Sequence, residues 1–234
     1  MSREPKGRRL CAAAQWTFVA FAVAGLLLSG PQPVKGQSHT VTKIKHYVVN
    51  GTTAASLDQQ MIARGPIHGR ARAYANIVAK PDYSGQLVQG QSCRLENFEV
   101  RAEFTMTLPQ LADGAKLSKD LSARWESFQD FVRRHEEGHR TIWLDTMHQA
   151  QTRISALRAP SCPQLQVQID EAFQDEWLAG GRRQDAYDRA EQDKLVRHPL
   201  VQAAAAARRK MGAALAPQPA QWRPQTRLGG KAMN

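Results

Sequence analysis

The 234 residues are enough for one domain of ordinary size plus peripheral segments. The formal charge of +11 suits contact with anionic cell-envelope polymers, although a positive balance by itself speaks only to solubility and non-specific contact. No nucleic-acid module is legible, which excludes that class of partner.

Residues 1–36 read as a secretory signal. Arg3, Lys6, Arg8 and Arg9 form a basic start, and Phe18 to Leu28 (FVAFAVAGLLL) form an apolar core that ends in small and turn-forming residues. Cleavage is expected after Val34-Lys35-Gly36. The alternative is an uncleaved N-terminal membrane anchor. Residues 1–36 carry five Lys/Arg and one Glu, so their removal takes +11 to +7. The expected location is secreted or periplasmic. Cys11 leaves with the signal, and Cys93 and Cys162 remain as an even pair in an oxidising compartment. One disulfide between them is the simplest reading, with two free buried thiols as the alternative.

The mature chain begins with strand formers at 43–50 (KIKHYVVN), followed by a short helix from Leu57, capped by Ser56 and ended by Arg64-Gly65-Pro66. Ala71 to Lys80 (ARAYANIVAK) reads as a second strand stopping at Pro81, and Gly85 to Gly90 as a polar turn. Between Arg94 and Thr107, Phe98, Val100, Ala102, Phe104 and Met106 alternate with polar residues, the pattern of a half-buried strand closed by Leu108-Pro109-Gln110. From Ser118 to Leu157 the chain is helical. Leu121, Trp125, Phe128, Val132, His135, His139, Ile142 and Thr146 recur at steps of three and four. Ala159 to Pro163 breaks this pattern, and a second long helix starts near Gln164 with Leu165, Ile169, Phe173 and Trp177 on one face. The short connection predicts antiparallel packing. The expected fold class is therefore α+β: a small antiparallel sheet with a short helix, followed by two long antiparallel helices. Residues 37–198 form the domain, and 199–234 a low-complexity tail that begins as a frayed helix and continues disordered.

The chemistry sits in His135-Glu136-Glu137-Gly138-His139. Two imidazoles four residues apart on a helix can point at one metal ion about 2 Å from each. Glu136, about 100° around the helix from His135, can reach a water beside that ion without ligating it. A solvated charged face would not place these histidines in the apolar stripe. Catalytic zinc usually has a third protein ligand. Asp145 would need a glycine at 142 to fold back, and Ile142 stands there; His148 fails for the same reason. In an antiparallel helix pair, residues 135–139 face roughly 181–186, which brings Asp185, Tyr187 and Asp188 near the site. Asp188 is the preferred ligand.

At about residues 45–195 the chain resembles an uncharacterised bacterial domain family described as predicted secreted zinc-dependent proteases. The resemblance rests on Tyr47 to Thr53 (YVVNGTT), Met61 to Pro66 (MIARGP), Cys93, Thr107-Leu108-Pro109, a tryptophan and the HEEGH run in the long helix, Cys162, and Tyr187-Asp188. That family continues its tyrosine-aspartate pair with a threonine and then a histidine-glycine, where this chain has Glu191 and Asp193. The resemblance thus keeps Asp193 as the alternative to Asp188.

The expected function is that of an exported zinc (Zn2+) metallopeptidase with a zincin-like domain. His135, His139 and Asp188 are its ligands, Glu136 its general base, and a protein or peptide its substrate, and the molecule is a monomer. The competing expectation is a non-catalytic envelope-binding or accessory protein whose metal site is structural or vacant.

Overall fold

The computed structural model describes residues 39–66 and 74–210. The expected export signal, with Cys11, lies outside the described residues, as does the tail from residue 211. No helix among the described residues is long and apolar enough to cross a membrane.

Among the described residues the fold is α+β, with a small sheet and four helices. Strand β1 (His39–Val49) leads into helix α1 (Ala54–Arg64); β2 (Asn76–Gln89) and β3 (Cys93–Leu111) form a hairpin; α2 (Lys119–Ser155) and α3 (Cys162–Arg197) flank the two-residue β4 (Arg158–Ala159); and α4 (Pro199–Lys210) follows. The sheet order is β1-β3-β2, with β4 beside the start of β3.

The sheet is mixed, and this corrects the expectation of an antiparallel one. β2 and β3 are antiparallel, as a hairpin must be, but β1 pairs with β3 in parallel, His39 opposite Arg101 and Val49 opposite Leu111. A parallel pair needs a long crossover between its strands, and here α1 and β2 supply it. Strands β2 and β3 also run past prolines that were expected to stop them. Pro81 is tolerated because β2 is an edge strand, where a missing N–H breaks no ladder bond. Pro109 stands beyond Thr107, the last β3 residue that β2 pairs, so there β3 itself is an edge on that side. Opposite Gly85 the register shifts, with Asn97 in the left-handed region at φ 51° accommodating the bulge.

The alternation read from β3 holds: Phe98, Val100, Ala102, Phe104, Met106 and Leu108 are all buried. They face α2, whose Leu121, Trp125, Phe128, Val132, Trp143, Met147 and Ile154 line the same core. Trp143 takes the place expected of Ile142 in that stripe, because the stripe of a straight helix drifts round its axis and the phase favours the neighbouring residue. In α1 the cap is Thr53, and Ser56 returns the bond: the Thr53 hydroxyl accepts from Ser56 N, and the Ser56 hydroxyl accepts from Thr53 N. The expected cap at Ser56 is thus shifted by one turn.

Helices α2 and α3 are antiparallel, as their partners show in descending order: Arg153 with Asp175 and Glu176, Trp143 stacked on Trp177 at 4.0 Å, His139 with Gln184. Gly180 keeps α3 close. A Cβ there would lie 2.6 Å from Thr146 Oγ1 and 3.0 Å from a ring carbon of Trp143. Residues 199–210, read as the frayed start of a tail, form α4, with Leu200, Val201 and Ala204 buried. Spacing of one and four puts these three on one helix face, and alanine is the strongest helix former. Arg208 ties α4 to α1 through an ion pair with the buried Asp58, which also accepts from the Tyr74 hydroxyl at 2.6 Å. The expected disulfide is present: Cys93 and Cys162 join the start of β3 to the start of α3.

Candidate metal centre

Three of the residues singled out in the sequence converge midway along the helix pair. His135 and His139, one turn apart on α2, direct their Nε2 atoms at each other across 2.9 Å. Asp188 reaches in from α3, its Oδ1 lying 2.9 Å from His139 Nε2 and 3.3 Å from His135 Nε2. All three side chains are buried. Two N atoms and one carboxylate O, about 2.0 Å from a tetrahedral ion, would stand about 3.3 Å apart, close to the spacing observed here. The donor set is also of a kind that binds divalent metal: two neutral imidazoles and one carboxylate. By both tests the residues present fit such an ion.

The other sequence candidates do not join them. Asp193 is a solvent-facing residue, its side chain 77% exposed and paired with Arg197 at 2.8 Å, whereas Asp188 is 3% exposed. Five residues on a helix is about 140° of rotation from Asp188, enough to carry Asp193 off the buried face. Asp145 and His148 are exposed, as the uninterrupted α2 requires. Asp185 is only partly buried, and burial raises its carboxyl above the ordinary range, an effect that the positive charge of Arg189 offsets only in part.

Glu136 lies on the sheet side of the cluster, fully enclosed. The backbone N–H of Ile77 in β2 donates to its carboxyl, while Oε1 has no hydrogen-bond partner among the described residues. Burial pushes this carboxyl up to about 8, against the pull of the nearby His139. Glu137 shares none of this environment, being exposed and loosely paired with Arg140 at 3.7 Å.

The ligand atoms polarise one another. Burial drives the His135 ring below the usual imidazole range, and Asp188 only partly offsets it. Burial acts the same way on His139, but the Asp188 bond, the Glu136 charge and Gln184 together bring that ring above its ordinary value. Asp188 is held below the ordinary carboxylate range: burial would raise it, and its bonds to the two histidines prevail. The Asp188 carboxylate thus sits where the two imidazole Nε2 atoms meet.

Around the cluster, one residue escaped the sequence reading, Gln184, and another, Tyr187, was placed near the site there without a role. Gln184, one turn before Asp188 on α3, contacts His139 Nδ1 through its amide oxygen and donates its amide N–H to the His139 carbonyl at 2.9 Å. Tyr187 stacks on the His135 ring at 5.0 Å and meets His139 edge-on at 5.0 Å. Its hydroxyl crosses α2 at Gly138, where any Cβ would overlap it. That is why the fourth motif residue is glycine. Gln184 is signalled in the sequence only by sharing a helix face with Asp188; the notch at Gly138 leaves no sequence signal beyond the glycine itself.

A helix presenting HExxH against a second helix with a carboxylate, over a small mixed sheet, defines an α+β domain with a buried His/His/Asp cluster. The chain belongs to a bacterial protein family of unknown function, DUF922, whose family model matches residues 44–196. No curated protein and no solved structure matches it.

Proposed function

We propose that this domain is a zinc-dependent peptidase acting outside the cytoplasm. The observation that carries the reading is the meeting of His135 Nε2, His139 Nε2 and Asp188 Oδ1 at ligand spacing, with the Glu136 carboxyl buried beside them and one oxygen unpartnered. An ion such as zinc, held by those three atoms, would supply Lewis acidity that makes water more acidic and polarises a carbonyl. Glu136 does the proton work. Its carboxylate takes the proton of the attacking water and passes it to the amine that leaves when the C–N bond breaks. The Ile77 N–H fixes one carboxyl oxygen, which leaves Oε1 as the acceptor. Export follows from the N-terminal signal read in the sequence, and a peptide or protein is the substrate.

The test separates metal from chemistry. Glu136→Gln should keep zinc at wild-type stoichiometry by elemental analysis and lower hydrolysis of a denatured-protein substrate by about 100- to 10,000-fold. His135→Ala, His139→Ala and Asp188→Ala should lose the metal as well. Zinc at wild-type stoichiometry with no hydrolysis from wild type over a broad panel of denatured proteins would transfer the site to a structural role in an accessory or envelope-binding protein.

A further inference from the structure

We infer that Gln184 is the positioning residue that sets the tautomer of His139, and so makes His139 Nε2 a metal donor; this rests on the metal reading of the cluster above. The far end of the amide fixes which way round it lies. Gln184 Nε2 lies 2.9 Å from the His139 backbone carbonyl, and a carbonyl can only accept, so this end of the amide is the NH2 group. The opposite end, facing His139 Nδ1 at hydrogen-bond distance, is therefore the amide oxygen, which can only accept. Nδ1 must carry the proton. A neutral imidazole with Nδ1–H has its lone pair on Nε2, the atom that points at His135 Nε2 and at Asp188 Oδ1, whose carboxylate is the one group that competes with the Gln184 amide oxygen for the ring's proton.

A single side chain thus grips the ring and the backbone of the same histidine. Two bonds to one residue fix the ring's rotation as well as its proton, and Gln184 is itself buried, so water does not compete for either bond. The spacing of the helix does the rest. Gln184 and Asp188 are four apart on α3, as His135 and His139 are on α2, so one turn of each helix faces one turn of the other. Gln-x-x-x-Asp on α3 is the complement of His-x-x-x-His on α2. An amide here differs from the carboxylate that often orients a ligating histidine, because it adds no charge to the cluster.

The test needs no turnover. In 15N-labelled apoprotein at alkaline pH, where the ring is neutral, long-range ring 1H–15N spectra should show His139 as the Nδ1–H form. Gln184→Leu should mix the tautomers and weaken zinc, measured by competition with a chromophoric chelator, by about 10- to 100-fold. Gln184→Glu keeps an acceptor opposite Nδ1 but loses the donor to the His139 carbonyl, so it should restore the Nδ1–H form and bind zinc more tightly than the Leu variant. A wild-type His139 protonated at Nε2, a Leu variant that binds zinc like wild type, or a Glu variant as weak as the Leu variant would each overturn the assignment. Failure of wild type to bind zinc would remove the metal reading, yet the tautomer difference between wild type and the Leu variant would still decide what Gln184 does. Should the Leu variant not fold, the Glu variant and the wild-type spectrum carry the decision.

Discussion

At the residue scale, glycine 138 is where packing and propensity oppose each other. In an exposed helix Gly→Ala stabilises by about 1 kcal/mol. Here the added methyl would overlap the Tyr187 hydroxyl and ring, and overpacking of a filled site costs about 1–3 kcal/mol. Gly138→Ala should therefore lower the urea midpoint and loosen the His135 ring that Tyr187 stacks on; combined with Tyr187→Val, the two losses should be less than additive. A more stable Gly138→Ala protein would refute the notch. His198 offers a pH test. Its ring lies against Phe128 and Phe131, its Nδ1 accepts from Leu200 N at 3.3 Å, and burial depresses its affinity for protons. The folded state thus refuses a proton that the unfolded chain takes up below about pH 6.5. Stability contributed by the neutral ring is complete above that pH, falls as the pH drops below it, and levels off once the folded ring also protonates. His198→Asn, which can still accept from Leu200 N, should show a shallower loss of stability between neutral and mildly acid pH; an unchanged profile would mean that the ring titrates normally. Of the candidate site itself, His135, Glu136 and His139 are legible from spacing alone, since three- and four-residue steps determine which side chains share a face. Asp188 needed only the sense and level of helix pairing. Gln184 and the Gly138–Tyr187 notch depend on how deeply two helices interlock, which no one-dimensional period records.

At the element scale, the ion pair between Arg208 and Asp58 carries more weight than the surface pairs. Asp58 is 1% exposed, so removing Arg208 leaves a buried carboxylate that still accepts from the Tyr74 hydroxyl but has lost its counter-charge. Losing one member of a buried pair costs about 3–5 kcal/mol, and the partial exposure of Arg208 brings the expected cost of Arg208→Ala to about 2 kcal/mol. Arg197→Ala, whose pair with Asp193 is more than 70% exposed on both sides, should change stability by less than about 0.5 kcal/mol. Equal effects in chemical denaturation would show that α4 is not held through Asp58. The helices were legible because the apolar stripes run long and the breaks at 159–163 are strong. The strands were harder. Proline at 81 and 109 reads as a stop in any local reading, and only the knowledge that each stands on a sheet edge makes it permissible. The parallel sense of β1 was beyond local reading altogether, because strand alternation is the same for either direction.

At the scale of the whole molecule, the disulfide and the helix pair share a task. Cys93 and Cys162 are 69 positions apart, and between them lie β3, α2 and the turn into α3, so the bond closes a loop that holds both histidines. For a loop of this length the chain-entropy model gives about 4 kcal/mol. Replacing both cysteines by serine should lower stability by up to that amount, while zinc binding at saturating metal persists in the fraction still folded; two alkylatable thiols in the untreated protein would remove the premise. The parallel pairing of β1 has a different consequence, one of timing. β2 and β3 can zip from their shared turn and α2 can coil locally, but β1 cannot find its place until β3, far downstream, has been made and ordered. It is also an outer strand, held on one side only, with Val41, Ile44 and Val48 still facing water. β1 is then the last strand to dock and the first to lift away. Its amides should exchange with solvent deuterium well before those of β3, and a chain pulled from its N-terminal end should give up β1 in a separate, weaker step before the hairpin and the helices that carry the His/His/Asp cluster let go.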